Sequence, residues 1–333
     1  ALPALLPWLC RFLLAGATEA RVAATARTLA PLLADAPQRH AALASEAGVP
    51  ELIHRTGLLN IYPSRDDFTA ESLSWRLRAE AGLAWTELDA HQLRQREPAL
   101  SERYRFGVLI EAGAHCTDPG AYVAALAAHA QAQGATLQRA QATGFVISGN
   151  GLHAVQTTQG PVACERAVIA AGIRSAALAR LAGDAVPLAA ERGYHVQITA
   201  PEAAPRTPVM PSDGKMANTL HRNGLRAAGQ VELAAPDAPP NWRRAEILLA
   251  HLRQSFPGLL PEPDDSRVQR WMGCRPSTPD GLPVIGPARA TPHILHAFGH
   301  GHIGLAMGPV TGRMVADLVA GRPGLPALSA RRF

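Results

Sequence analysis

Lysine is almost missing from this chain: of 32 basic residues only Lys215 is one, and the rest are arginine. The arginines are scattered, with doublets only at Arg243 and Arg244 and at Arg331 and Arg332, so no basic stripe for nucleic acid is present. The net charge of +5 therefore reads as an attraction for small anions. Cysteine is scarce too. Cys10, Cys116, Cys164 and Cys274 form no CxxC pair, which excludes a disulfide framework and points to reduced thiols in a cytoplasmic protein. No run approaches twenty uninterrupted apolar residues, which excludes an ordinary spanning helix. The nearest, ALPALLPWLCRFLLAG at residues 1–16, carries two internal prolines and Arg11. It reads as a connector and a buried or surface-lying helix, with docking on a membrane face as the alternative. Charged residues make up 18% and hydrophobic ones 47% of 333 residues, the balance of a globular chain long enough for two interlocked domains.

Helical patterning is expected over 17–48, interrupted at Pro31 and Pro37, and over 66–82. Strands are expected at 58–63 and 105–113. Asp118 then caps a helix with Pro119 in its first turn, which Gly134 ends. TLQRA, a hairpin turning at residues 149–151, and PVACERAVIAAG suggest a three-stranded meander attached to a nucleotide-binding sheet. A helix at 174–183, strands near 193–199, 216–221 and 225–232, a helix at 241–255, the strand RVQRWMGCRP and a final strand–loop–helix follow. Strands first alternate with helices and later succeed one another. The fold class is α/β plus α+β, interleaved in sequence.

Gly299, His300, Gly301, His302, Ile303 and Gly304 spell a literal GxGxxG between a strand and a helix. Too little chain follows for a second strand or a ribose-binding acid, so it is not the opening turn of a dinucleotide fold. Glycines there still allow close backbone approach to a ligand at a helix start, or simply form a tight turn. Gly304, Gly308 and Gly312 recur at i, i+4 and i+8, a smooth face suited to close packing, and Pro309 places the start of the regular helix near Gly308. His293, His296, His300 and His302 crowd the stretch. His293 and His296 point to opposite faces of a strand, and no carboxylate or thiol is near in sequence, so no metal site is expected. Arg275 ends a strand before the proline-stiffened loop PSTPDGLPVIG; it could grip a carboxylate as a planar fork or pair with Asp280. Cys274 faces the other way. Tyr194 and His195 open a strand with opposite orientations, so either one could reach a cleft.

The motifs HCTDPGAYVAAL, AVIAAGIRSAALARLAG, VPLAAERGYHV, GLRAAGQVEL, GCRPSTPDGLPVIG and GHGHIGLAMGPVTGRMVADLVAG, in this order, resemble the FAD-dependent amino-acid oxidoreductases of the D-amino-acid oxidase superfamily. Its D-amino-acid dehydrogenase and glycine oxidase branches are the most similar. The resemblance implies a glutathione-reductase-type FAD-binding domain interleaved with a substrate domain on a mixed, largely antiparallel sheet. Residues 1–113 would belong mainly to the substrate and cap region, 114–185 and 281–333 to the FAD-binding domain, and 186–280 to the substrate domain. The family's opening strand–GxGxxG–helix is not in this sequence, which reads as the family entered partway, or as a shortened descendant without cofactor.

By the same resemblance Arg275 would pin the substrate carboxylate, with Tyr194, His195 and Asn218 lining the cleft and His302 standing where a family member has an arginine. Gly299, His300, Gly301, His302, Ile303, Gly304 and Leu305 would follow the flavin edge. Gly273, Ala171 and Gly172 would touch the flavin or its chain, and Ala142 the adenine. The implied activity is oxidative deamination of a D-amino acid; oxidation of a secondary amine such as sarcosine, glycine or hydroxyproline is the alternative, and a non-catalytic remnant a third. Tyr194 and His302 would join Arg275 in catalysis. Electrons would go to oxygen or to a quinone chain, with peripheral contact at the inner membrane face.

Overall fold

The computed structural model describes residues 2–149, 151–260 and 262–333. Asn150, at the tip of the expected hairpin turn, and Ala1 lie outside the described residues. The helices are α1 (Leu2–Ala15), α2 (Glu19–Leu33), α3 (Ala36–Glu46), α4 (Arg65–Thr69), α5 (Ser72–Glu80), α6 (Ala90–Arg96), α7 (Pro119–Ala132), α8 (Ser175–Leu181), α9 (Arg243–Ser255) and α10 (Gly304–Val319). Several sheets accompany them, none closed.

A pair of short strands, β1 (Ile53–His54) and β5 (His115–Cys116), joins the early helices to α7. The largest sheet combines β2 (Leu58–Tyr62), β3 (Thr86–Leu88) and β4 (Phe106–Ile110) with β10 (Ala189–Ile198), β11 (Val209–Pro211), β12 (Met216–His221), β13 (Gly224–Leu233) and β14 (Val268–Ser277). Its order is β14-β10-β13-β12-β11-β2-β4-β3, antiparallel except where β11 meets β2. The meander is β6 (Ala142–Ser148), β7 (Gly151–Thr157) and β8 (Gly160–Ala163). The remaining sheet places β16 (Ile294–Phe298) between antiparallel β15 (Val284–Pro287) and parallel β9 (Ala167–Ile169). Distant stretches of chain thus meet within single sheets, which is the interleaving expected from the element pattern.

Side-chain alternation divides the large sheet into two faces. On β10, Tyr194, Val196 and Ile198 join Leu248, Leu249 and Leu252 of α9 in the main core. Glu191, Gly193, His195 and Gln197 occupy the opposite, open face. Direct register with β14 puts Trp271, Gly273, Arg275 and Ser277 on that open face as well.

Three local expectations change. TLQRA forms no strand, and the meander takes GPVA as its third strand instead. Residues 66–82 break into α4 and α5. Most instructive is α10, which begins at Gly304 and keeps Pro309 inside. A proline at that position cannot donate to the carbonyl of Leu305. His40 of α3 supplies the missing hydrogen bond, its Nε2 lying 2.9 Å from that oxygen, while the Tyr122 hydroxyl sits 3.0 Å from Nδ1. The helix therefore survives its proline by tertiary contact. Its glycine face is not closely packed: a Cβ added at Gly308 or Gly312 would meet nothing within 4 Å.

Candidate functional site

Three chain segments converge at the end of β14. One is β14 itself; the others are the 3-10 turns Gly172–Arg174 after β9 and Gly301–Ile303 after β16, both of which touch β14. Because β9 and β16 are parallel, their carboxyl ends open on the same side. Ligands in open α/β sheets bind there. Ser277 bridges to His300, stitching the two sheets together at this point.

Arg275 is held by backbone. Its Nη1 donates to the Gln230 carbonyl at 3.0 Å and Nη2 to the Gly229 carbonyl at 3.4 Å. Gln230 has φ +59, a left-handed conformation, where β13 bulges opposite residues 192–194. That strain turns its carbonyl toward the guanidinium. The arm reaches these acceptors by lying across Gly193, where an added Cβ would be 2.2 Å from Cζ. Burial pushes the guanidinium below its ordinary pKa, and the nearby Glu191 charge opposes that shift. Asp280, the alternative partner, is taken by Arg332, whose Nε donates at 2.7 Å.

Glu191 is directly opposite Arg275 in register. No ion pair joins them. Its Oε2 instead accepts from Ser277 and lies 3.2 Å from Nε2 of His302. The His302 hydrogen bond holds the carboxyl below its usual pKa, helped by the Ser277 bond and opposed by burial. Trp8 of α1 closes this corner, its Nε1 donating to the Ser277 carbonyl at 3.1 Å. Further along the open face His195 stacks on Trp271 at 4.9 Å. Burial lowers the His195 pKa to about 4, with Arg226 and His221 adding to the effect. His300, beside Thr311 at 2.9 Å, is lowered to about 4 by burial.

Arg275, His195, His302 and the 299–305 turn are thus gathered on one side of the large sheet. Two expected cleft residues are not. Tyr194 is 1% exposed on the core face, and its hydroxyl donates to Glu232 at 2.6 Å and accepts from the Asn241 amide at 2.9 Å. Asn218 is 0% exposed and pairs with Ala227, also a core-face residue. Alternation along the strand, fixed by the register, removes both from the cleft. Gly273 stays on the open face, but the Trp271 ring fills the space above it, where a Cβ would fall 2.0 Å from the indole. Ala142 opens β6 in the separate meander. Sequence reasoning missed Glu191, Gly193, Ser277, Gln230 and Trp8. A glycine and an acid two residues apart on one strand was a signal, readable only once the partner strand was known.

Ala171 is exposed, and a Cβ added at Gly172, φ +56, would meet nothing within 4 Å. No side chain caps the start of α10 among the described residues. Gly172, Gly299 and Gly301 all have positive φ, which favours glycine; the space at Gly172 is open, whereas at Gly299 and Gly301 it faces Thr278 and Ser277.

The chain belongs to the FAD-dependent oxidoreductase family, whose model matches residues 9–318. Among curated relatives, a D-amino-acid oxidase of Bradyrhizobium diazoefficiens is 55% identical over 326 residues, covering 98% of this chain and 77% of the relative. A D-amino acid dehydrogenase of Methylobacterium radiotolerans is 31% identical, covering 96% and 77% respectively. The fold is that of glycine oxidase from Geobacillus kaustophilus, with a TM-score of 0.79 and 24% identity over 92% of this chain and 83% of that one. The donor set fits the family's cofactor. The uncapped start of α10 and the open backbone at Gly172 suit the electron-rich edge of a flavin.

Proposed function

We propose that this protein oxidises a D-amino acid to the imino acid, which hydrolyses to a 2-oxo acid and ammonia. The observation that carries the reading is Arg275, immobilised by two carbonyls on the open face where the two glycine turns meet β14. The D-amino-acid oxidase and dehydrogenase relatives support the choice of substrate class. Bound FAD supplies the acceptor for the hydride leaving the substrate α-carbon. Gly172, Gly299, Gly301, Ile303, Gly304 and Leu305 would hold it by backbone, with His300 and Ala171 shaping the same turns. Arg275 fixes the carboxylate, and fixing the carboxylate fixes the direction of the α-hydrogen. His302 holds Glu191 and closes the rim. The start of α10 stabilises negative charge that develops beside its amides.

Segments 114–185 and 281–333 form the cofactor-binding half in this reading, and 186–280 with much of 1–113 the substrate half. No described helix is long and apolar enough to cross a membrane. We assign peripheral membrane contact to the outer face of α1, where Leu6, Phe12, Leu13 and Leu14 are exposed, in a cytoplasmic protein passing electrons to oxygen or a quinone chain. Sedimentation with anionic vesicles tests the contact, and oxygen uptake against quinone reduction tests the acceptor.

The decisive experiment measures flavin absorption and turnover of D-alanine, L-alanine and sarcosine by the purified protein. D-alanine should be preferred, and Arg275→Ala should raise KM and lower kcat/KM on the order of a hundredfold or more, the cost of losing a charged hydrogen-bonded partner. Preference for sarcosine selects the secondary-amine reading. Unchanged kinetics in Arg275→Ala removes the anchor.

A further inference from the structure

We infer that Glu191 is the second half of the substrate-recognition pair, receiving the α-ammonium of a zwitterion whose carboxylate sits on Arg275. The inference rests on the amino-acid reading above and adds a residue to it. Opposite charges side by side on neighbouring strands, with Cβ atoms about 5 Å apart, ordinarily close into an ion pair. Here they lean apart. Arg275 lies over Gly193 toward β13, where Gln230 and Gly229 hold it. Glu191 turns the other way, toward Ser277 and His302.

Both of those bonds fall on Oε2, and Oε1 accepts neither of them. The carboxyl is ionised at neutral pH, since the His302 bond holds its pKa down. One face of the sheet therefore offers a guanidinium with spare N–H groups, lying over Gly193, and at the neighbouring same-face position of that strand a carboxylate with a spare oxygen. An α-amino acid carries the complementary charges on adjacent atoms. A simple carboxylate satisfies half of the pair and is repelled by the other half, as is a substrate with an acidic side chain.

A matched pair of ligands tests this: 2-aminoisobutyrate, which has no α-hydrogen to lose, and isobutyrate, which lacks only the ammonium. Calorimetric titration of the FAD-loaded protein should show the amino acid binding about tenfold or more tightly than the plain acid, the ratio expected of a charge-assisted hydrogen bond. In Glu191→Gln that ratio should collapse to within about twofold, through weaker amino-acid binding and unchanged or tighter isobutyrate binding. A wild-type ratio near one overturns the inference without needing any variant. So does a ratio that persists in Glu191→Gln, or an equal loss of both ligands. D-alanine turnover is measured on the same samples. Turnover with a ratio near one sinks this pairing alone, whereas a clear ratio without turnover sinks the proposed reaction and leaves Glu191 as a zwitterion receptor.

Discussion

The two faces of β10 are built from the same ten residues and do opposite things. On the core face Arg192, 0% exposed, donates to the carbonyl of Pro239 at 2.9 Å, and Tyr194 and Glu232 complete a network buried beside α9. Arg192, Tyr194 and Glu232 there are consumed by one another and by backbone carbonyls, while the side-chain amide of Asn218 on the same face has no hydrogen-bond partner among the described residues. On the open face Glu191 keeps an oxygen free, Gly193 keeps its space free, and Arg275 crosses that space to the next strand. Ionisable groups serve a structure when their partners are internal and serve a ligand when their hydrogen-bonding capacity is left unfilled. The contrast predicts that changes on one face break folding and changes on the other break binding.

After removal of the Arg275 side chain itself, the largest effect should come from Gly193→Ala. The atoms nearest the new Cβ are those of the Arg275 guanidinium and not backbone, so the fold should be kept and the thermal midpoint should move little. A misplaced anchor should nonetheless lower kcat/KM on the order of a hundredfold, which steady-state kinetics beside calorimetry will show. An equal loss of stability would erase the distinction between the faces.

Acid sensitivity should also belong to the open face. His195 and His221 there, with His300 at the turn, have pKa values lowered to about 4 by burial. The unfolded chain binds protons at these sites from near pH 6.5 downward, while the folded chain does not until about 4. Stability should therefore be full above pH 7 and fall as pH drops through that window. Melting curves from pH 7 to 4 should become flatter in His195→Gln and keep their slope in Tyr194→Phe.

On the core face Tyr194→Phe should cost about 1–3 kcal/mol, the penalty of leaving buried hydrogen-bonding groups unpaired, with the KM for D-alanine within twofold of wild type. The smallest effect concerns α10. His40→Ala should destabilise by about 1 kcal/mol, and Pro309→Ala should restore a helix donor to Leu305 and make His40→Ala nearly silent in denaturant titrations. Additive costs would show that His40 does not compensate for the proline.

Most of the fold was legible because it rests on local signals. Asp118 does accept from the Ala121 amide at 3.0 Å, and Gly134 ends α7 with φ +98. The strand carrying Arg275 and the final turn were readable for the same reason. What could not be read depends on register. Whether Tyr194 or His195 faces the cleft turns on a parity that only the pairing with β13 and β14 decides, and the bulge at Gln230 shifts that parity midway. Asn218 looked suitable by position and proved to be buried among apolar neighbours. Pro309 misled because the residue that compensates for it, His40, lies 269 positions away in the chain, beyond any local pattern.

A guanidinium has five N–H groups locked in one plane, and Arg275 commits two of them to the carbonyls of Gln230 and Gly229. Its long arm thus surrenders its rotational freedom when the chain folds, before any metabolite arrives. The encounter itself then requires no side chain to be frozen and no bond to be exchanged. Affinity at such a spot is governed by the fit of the visitor rather than by the cost of preparing its host.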